Sequence, residues 1–347
     1  MKAAKATKAL RPLRVLVLVQ EGLIPPDEAT PDEVMAAEWK MEYGIIKTLR
    51  SLGHTAIPLA LGSDLGVIRK AMDAEKPQIA FNCLEGFDEV ATWDANVVAY
   101  LEMLKLPYTG CNSRGLMLGR DKSLSKTLLS YHRIPVPRFV IVPRGQKVKR
   151  PARLTFPLFV KSLTLDASIG ISQASVVETD AKLQERVSFI HESIGTDALV
   201  EQYIEGRELY VGVLGNRRPE ALPVWELSFA KMPEETRHIA TERLKWSLAY
   251  QKKHGIDSGA ADLEPAAAGA MQELCKRSYK ILMMSGCARV DLRLSAQGRA
   301  YVIEANPNPQ LSPDEDFAQS SLAAGLKYPE LIQRLLSLGL RWETHRD

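Results

Sequence analysis

The chain has 347 residues, of which 46% are hydrophobic and 25% charged, enough for two or three domains with buried cores. Its 45 basic and 42 acidic side chains leave a net charge of +3, a balance that gives no footprint for nucleic acid and none for a membrane surface. The apolar run Val15 to Val19 is too short for a transmembrane or signal segment, and Cys83, Cys111, Cys275 and Cys287 have no C-x-x-C spacing, so reduced core thiols in a cytoplasmic protein are expected.

From Leu13 to about Gly110, strand-like and helix-like patterns alternate. Strands are expected at Arg14–Val19, His54–Leu59 and Gln78–Asn82, and helices from Asp32 to Leu52, Asp64 to Ala74 and Thr92 to Leu106. In the first helix Val34, Met41, Ile45 and Leu49 recur at helical spacing. Such a βαβαβα unit implies a parallel sheet covered by helices, whose strand-end loops line a crevice. Glu21, Asn82 and Glu85 lie in those loops, as substrate contacts or as plain turn residues. A helix over Arg114–His132 ends at Ile134-Pro135-Val136-Pro137. Short strands follow to Ser175, then a helix near Asp180–Ile194, a strand pair at Ala198–Tyr203 and Arg207–Leu214, more strand to Phe229, and a helix over Glu264–Ser285. The expected domains are 1–112, 113–205 and 206–347, an α/β fold with an α+β C-terminal part.

The chain closes on a hairpin with acids inside its strands. Alternation puts Val290, Leu292 and Leu294 on one face of the first strand and Arg289, Asp291 and Arg293 on the other. In the second strand Tyr301 and Ile303 fall on the apolar side, Glu304 and Asn306 on the polar side. A two-residue turn at Gln297-Gly298 would set Asp291 opposite Glu304 and Arg289 opposite Asn306. Like charges facing across a ladder are destabilising. Either the face is solvated, or a divalent cation lies between the acids; the all-oxygen set suits magnesium.

No G-x-x-x-x-G-K-[ST] loop, G-x-S-x-G elbow or H-x-x-x-H pair occurs, which removes a Walker site, a hydrolase nucleophile and a zinc motif. A phosphate could instead meet Lys161, at the end of an apolar strand, and the small-residue run Asp166 to Ser172, whose backbone N–H groups could approach it.

Several pieces occur in a telling order: Phe-Asn-Cys-Leu-Glu-Gly (81–86), Leu-Pro-Tyr-Thr-Gly (106–110), Arg120-Asp121-Lys122 followed by Lys126, Phe-Val-Lys (159–161), Glu-Gln-Tyr-Ile-Glu-Gly-Arg-Glu (201–208), Arg-Val-Asp (289–291) and Glu-Ala-Asn (304–306). Together, from about Leu13 to Leu336, they resemble the ATP-grasp superfamily, and within it the D-alanine–D-alanine ligase branch. The resemblance implies a three-domain ATP-grasp fold with an N-terminal parallel-sheet domain, and an ATP-dependent ligase that joins a carboxylate to an amine through an acyl phosphate. It makes Lys122 and Lys161 the phosphate lysines, places Glu201, Gln202, Tyr203 and Ile204 at adenine and Glu208 at the ribose, and adds Ile303 to the nucleotide pocket. Asp291, Glu304 and Asn306 would hold two magnesium ions, with manganese as an alternative. Arg289 would meet the oxyanion, Lys245 would reach the γ-phosphate from a mobile loop, and Ser168 would survive from the phosphate loop. Relatives are commonly dimers, so a homodimer is an expectation from the same analogy.

The amino-acid half departs from the branch. Glu21 matches its first-strand loop only approximately, Asn82 to Gly86 replaces a His-Gly motif, Trp246 stands where a loop tyrosine is expected, and Glu315-Asp316 replaces a Ser-Leu that anchors a carboxylate. The expected substrates are therefore amino acids or a peptide with an acceptor other than D-alanine, a basic or larger amine drawn by Glu315 and Asp316. Three rivals remain: a D-alanine–D-alanine ligase with a divergent pocket, a phosphotransferase, and an ATP-binding module without chemistry.

Overall fold

The computed structural model describes residues 10–165, 168–229, 231–232, 236–241, 243–244 and 247–342. Strand β1 (Arg14–Gln20) lies between β2 (Thr55–Leu61) and β3 (Ile79–Asn82), parallel to both. Val15 to Val19 are all fully buried, which is why this strand reads as one unbroken apolar run: both faces of a parallel sheet are covered.

The helix expected from Asp32 to Leu52 is two helices, α1 (Pro31–Ala36) and α2 (Lys40–Ser51), separated by an extended Ala37. A reciprocal cap between Thr30 and Glu33 starts α1, which buries nothing; the apolar stripe belongs to α2, through Met41, Ile45, Ile46 and Leu49, and Val34 stands outside it. Helices α3 (Gly66–Glu75) and α4 (Asp94–Met103) complete the unit.

The single helix expected over Arg114–His132 is likewise divided, into α5 (Ser113–Arg120) and α6 (Lys122–Tyr131). Asp121 divides it. Its backbone is extended and its carboxylate accepts from the N–H groups of Ser123 and Leu124, so it ends one helix and caps the next. Lys122 thus becomes the first residue of α6, and Lys126 follows one turn later on the same side.

The central sheet is antiparallel in the order β4 (Phe139–Val142), β7 (Ala198–Gln202), β5 (Leu158–Ser162), β6 (Val176–Val177). Leu183 and Val187 of α7 (Asp180–Phe189) pack on its Leu158, Val160 and Val200. The third sheet runs β10 (Ile256–Ala260), β9 (Glu220–Phe229), β8 (Arg207–Leu214), β11 (Cys287–Leu294), β12 (Ala300–Pro307), all antiparallel, and packs against α8 (Pro265–Ile281). After α9 (Asp316–Ala323), α10 (Tyr328–Leu340) returns to the first sheet, where Leu331, Ile332 and Leu335 share a core with Val15, Val17 and Ile45.

The short link from β7 to β8 turns at Gly206, with φ +147°; a Cβ there would lie 1.9 Å from the carbonyl oxygen of Leu294. Only glycine lets this hinge press against the end of β11. All four cysteines are buried and unbridged. Among the described residues no helix is long and apolar enough to cross a membrane.

Glu42 of α2 is buried, and its Oε2 has no hydrogen-bond partner. Burial, partly offset by its own backbone amide and reinforced by Glu85, pushes its carboxyl from 4.5 up to about 7. The fold therefore favours the protonated form, and the contribution of this group is full below about pH 4.5 and lost as pH rises through about 7. Glu42→Gln should be more stable than the parent at pH 8, by on the order of 2 kcal/mol, with the gain shrinking at pH 5. Urea denaturation at the two pH values measures this; parallel curves for parent and variant would contradict it.

Candidate active site

Strand alternation builds the floor of the cleft. Phe159 and Lys161 on β5 share a face with Leu199 and Glu201 on β7, so the ammonium of Lys161 falls diagonally across from the Glu201 carboxylate, 3.2 Å from Oε1. The Nζ of Lys126 reaches the other oxygen of Glu201 at 2.8 Å from α6. Burial alone would raise the Glu201 carboxyl; Lys126 and Lys161 outweigh it and hold the group below the usual range, as a carboxylate. The Lys161 ammonium also lies 3.7 Å from Oε2 of Glu304, on the hairpin of the third sheet.

Beyond Glu201 the chain passes through Gln202, Tyr203 and Ile204 to Gly206. Tyr203 is buried, its ring stacked near Phe159 at 6.5 Å and faced by Arg237 and Arg293 at 5.6 and 5.8 Å. Arg293 pins this hinge. It donates to the carbonyl of Gly206 at 2.9 Å, to that of His238 at 2.6 Å, and to Glu208 Oε2 at 2.9 Å, while Tyr210 donates to Glu208 Oε1 at 2.9 Å.

The hairpin supplies the opposite wall. Asp291 pairs with Glu304 and Arg289 with Asn306, as alternation and a two-residue turn suggested, but by another route. The loop is longer, with Leu294 opposite Ala300, and a bulge at Ile303 restores the register beyond it. The bulge also corrects the second strand's faces: Val302 and Ala305 enter the core, while Ile303 and Glu304 both turn to the cleft. Tyr301 and Ile303 are therefore not its apolar face. Arg289 donates to both oxygens of Asp291 at 2.8 and 2.9 Å, and its cation sits 4.7 Å over the Tyr210 ring. Burial would lower the Arg289 pKa, but Asp291 outweighs it, so the guanidinium stays charged. The Asn306 amide donates to Asp291 at 3.0 Å and to Glu304 at 3.4 Å.

One cavity gathers Lys161, Ser168, Glu201, Gln202, Tyr203, Ile204, Glu208, Asp291, Ile303 and Glu304. Ser168 enters with φ +60° and is buried. Arg289 and Asn306 stand behind the two acids and reach the cleft through them. The ammonium of Lys122 is buried and donates to the carbonyl of Leu165 at 2.8 Å, bracing the strand end that leads to Ser168. The substrate candidates are dispersed. Asn82 and Glu85 line a separate small cavity with Asn308 and Leu311; Glu21 is exposed against Gly62; Glu315 stands before α9, where its carboxyl is raised, first by desolvation and then by Asp316 and Asp314. Lys245 and Trp246 lie outside the described residues.

Several cleft residues carried no role in the sequence reading: Phe159, Ile171, Tyr210, Ile239 and Arg293 line the cavity, and Lys126 stands behind Glu201. Phe159 and Lys126 stood only within the quoted motifs, whereas Arg293 had a geometric signal, being on the same face of its strand as Asp291.

The donor set agrees with an oxygen-loving cation. Asp291 and Glu304 face each other, and a half-turn of the Asn306 carboxamide would present its oxygen beside them. Among the described residues no group of three His, Cys, Asp or Glu side chains converges, so such a site has two acids and an amide.

A cleft between an antiparallel central sheet and a hairpin-bearing C-terminal sheet, entered by a strand lysine and hinged at Gln202 to Gly206, has the architecture of an ATP-grasp fold. The family described as D-ala D-ala ligase C-terminus matches residues 128–337, and the chain belongs to it. An uncharacterized protein of Sinorhizobium fredii, y4sG, is 34% identical over 263 residues, 76% of this chain and 75% of that one. The D-alanine–D-alanine ligase of Desulforudis audaxviator is 30% identical over 301 residues, 85% of this chain and 90% of the relative. In fold, the crystal structure of D-alanine–D-alanine ligase from Bacillus anthracis complexed with ATP superposes with a TM-score of 0.73 at 22% identity, covering 95% of this chain and 98% of that one.

Arg293→Met should cost roughly 3 kcal/mol in urea denaturation, because it leaves Glu208 and two carbonyls short of a buried partner. Arg237→Ala, whose partners Glu178 and Glu205 are exposed, should cost less than about 1 kcal/mol. Equal losses in the two variants would contradict the pinning role of Arg293.

Proposed function

We propose that this chain is an ATP-dependent carboxylate–amine ligase, acting on amino acids or a peptide. The observation that carries the reading is the convergence, in one cavity, of a buried strand lysine, a hinge segment and two facing acids backed by a charged arginine. Membership of a family whose named relatives are D-alanine–D-alanine ligases supports it.

A free carboxylate resists amines because its carbon is a poor electrophile and oxide a poor leaving group. Transfer of the γ-phosphoryl of ATP to the carboxylate gives an acyl phosphate and ADP; the amine then attacks and phosphate leaves, giving an amide. In this chain Gln202 to Ile204 would receive the adenine edge, and Glu208, oriented by Arg293 and Tyr210, the ribose hydroxyls. Lys161 and Lys122 would hold phosphates, with Ser168 beside them. Arg289, kept charged by Asp291, would meet the oxyanion formed when the amine attacks. Asp291, Glu304 and Asn306 would hold magnesium. Magnesium, when bound, offsets the negative charge of the triphosphate during transfer. Because acyl phosphates hydrolyse, water must be excluded, and the segment carrying Lys245 is the proposed cover.

The acceptor is proposed to be a basic or larger amine. Asp314 and Glu315 precede α9 and Asp316 opens it, and Asp316 acts electrostatically on Arg289. An incoming carboxylate would meet these acids unfavourably, whereas a cationic group would be attracted. The names of the relatives favour D-alanine as acceptor instead.

Incubation with ATP, magnesium and amino-acid pools, analysed by mass spectrometry, should yield an amide whose acceptor carries an extra positive charge. Dialanine as the sole product would favour the second reading, and ADP and phosphate without any amide would sink both. Glu304→Gln should lower turnover by about 10²–10³-fold while nucleotide still binds; unchanged ADP release would contradict the metal assignment.

A further inference from the structure

Ser168 and Ile171 line the nucleotide cavity from a tight turn, closed by the Ile171 N–H, which donates to the Ser168 carbonyl at 2.9 Å. The turn is not in a relaxed form. Ser168 has φ +60°, a conformation that is unfavourable for a residue with a side chain and persists only where the surroundings enforce it. Gly170, the third residue of the turn, has φ +71°, and a Cβ there would lie 2.9 Å from Cδ1 of Ile194. The turn therefore presses against the end of α7 and the wider turn that continues it (Ile190–Ile194).

Arg186 of α7 makes the polar part of this contact. It is 7% exposed and does not line the cavity. Its Nη2 donates to the carbonyl of Gly170 and, at 2.9 Å, to the hydroxyl oxygen of Ser175, while the guanidinium lies 4.4 Å from the centre of the Phe189 ring. Ser175 is fully buried, and its hydroxyl also accepts from the Ser172 N–H at 3.1 Å. One guanidinium thus ties both ends of the segment from Gly170 to Ser175 to a single helix. No carboxylate among the described residues pairs with Arg186, and burial alone acts on its pKa, lowering it. A guanidinium nevertheless keeps its proton in a protein. Burying a cation without an acid is unfavourable, but hydrogen bonds from a charged donor are stronger than neutral ones, and here they go to the segment that lines the cleft.

We propose that Arg186 is a positioning residue for the nucleotide phosphates, acting through the Gly170 carbonyl: it holds the Ser168–Ile171 turn against α7 in the shape that keeps Ser168 in the cavity. Without Arg186 two buried acceptors lose a charged donor, and Ser168 relaxes from positive φ, carrying its hydroxyl away from the phosphates. The adenine end does not sense the change, because the hinge at Gln202 to Gly206 is held separately by Arg293.

The inference rests on the nucleotide reading above, and a binding experiment separates the two. Dissociation constants for a non-hydrolysable ATP analogue and for adenosine are measured by calorimetry on the parent, Arg186→Met, Arg186→Gln and Arg150→Met. Adenosine reports the hinge alone, the ATP analogue the hinge and the phosphate side. Arg186→Met should weaken the ATP analogue by at least about tenfold more than adenosine. Arg186→Gln, which keeps a neutral amide donor but is too short to span both acceptors, should show the same selective loss and serves where the Met variant does not fold. Arg150 is the control. It pairs with Asp180 at the start of α7, at 2.8 Å, and touches no residue of the turn, so its removal loosens the helix without freeing Gly170 and should leave the ratio of the two constants as in the parent. Equal weakening of both ligands in a folded Arg186 variant would show a merely structural role and overturn the proposal. A selective loss of the same size in Arg150→Met would overturn it too, since any loosening of α7 would then suffice. If the parent binds neither ligand, the nucleotide reading fails and this inference with it; if the parent binds both and the Arg186 variants keep its ratio, only the role of Arg186 fails.

Discussion

The cleft depends on burying the Glu201 carboxylate between two lysines from different elements. A carboxylate alone in a protein interior would take up a proton or unfold its surroundings. Lys126 comes from α6 and Lys161 from β5, so the pair of contacts fixes helix, strand and hinge at one point. The further approach of Lys161 to Glu304 extends the same alternation of charge to the third sheet. Removing any one member would leave a buried charge uncompensated, a larger loss than the pair's own net contribution. This is why two sheets with separate cores meet across a polar seam instead of an apolar one.

The hairpin wall obeys the same rule with different partners. Asp291 is held by Arg289, and both acids accept from Asn306, so the like-charged pair across the ladder is already compensated. Donors and acceptors thus stand in position before any ligand arrives. In the proposed reaction a triphosphate and its cations would exchange partners with these groups, and little reorganisation would be needed as charge moves. Gly206 contributes from the backbone side, letting the hinge lie against β11 so that Glu208 and Asp291 open onto one cavity.

How much of this was legible in the sequence differs from residue to residue. The first strand was plain, because a sheet covered on both faces leaves an unbroken apolar run. The pairing of Asp291 with Glu304 was also obtained, although through two errors that cancel: the loop is longer than two residues, and the bulge at Ile303 takes up the difference. A bulge leaves no periodic signal, so the faces of β12 could not be read from alternation. The division at Asp121 was open to inspection, since an aspartate two residues before a free backbone N–H is a cap, but the uninterrupted apolar spacing on both sides masked it. Lys126 was illegible for a deeper reason. Its partner lies 75 positions on, in another element, and nothing local distinguishes a lysine that enters the core from one that leaves it.

The acceptor side shows what remains when the charge pattern is followed outward from the cleft. Arg289 already has Asp291 as a bidentate partner, and Asp316 adds negative potential from the start of α9. Acids at a helix N-terminus interact favourably with the peptide dipoles, which gives Asp316 a structural reason to stand in the first turn apart from any substrate. Its neighbour Asp314 is ion-paired with Lys40 of α2, so this acidic segment is also tied to the first sheet's covering helix. In the proposed reading, an acceptor that carried its carboxylate toward Arg289 would have to compete with Asp316 for the guanidinium and approach the acids Asp314 and Glu315. A proposed acceptor with a second amine would instead bring a positive charge to these acids. In the proposed reading one charge pattern would thus serve an anion on the nucleotide side and a cation on this side, and charge, more than shape, is the property by which the proposed acceptor differs from D-alanine.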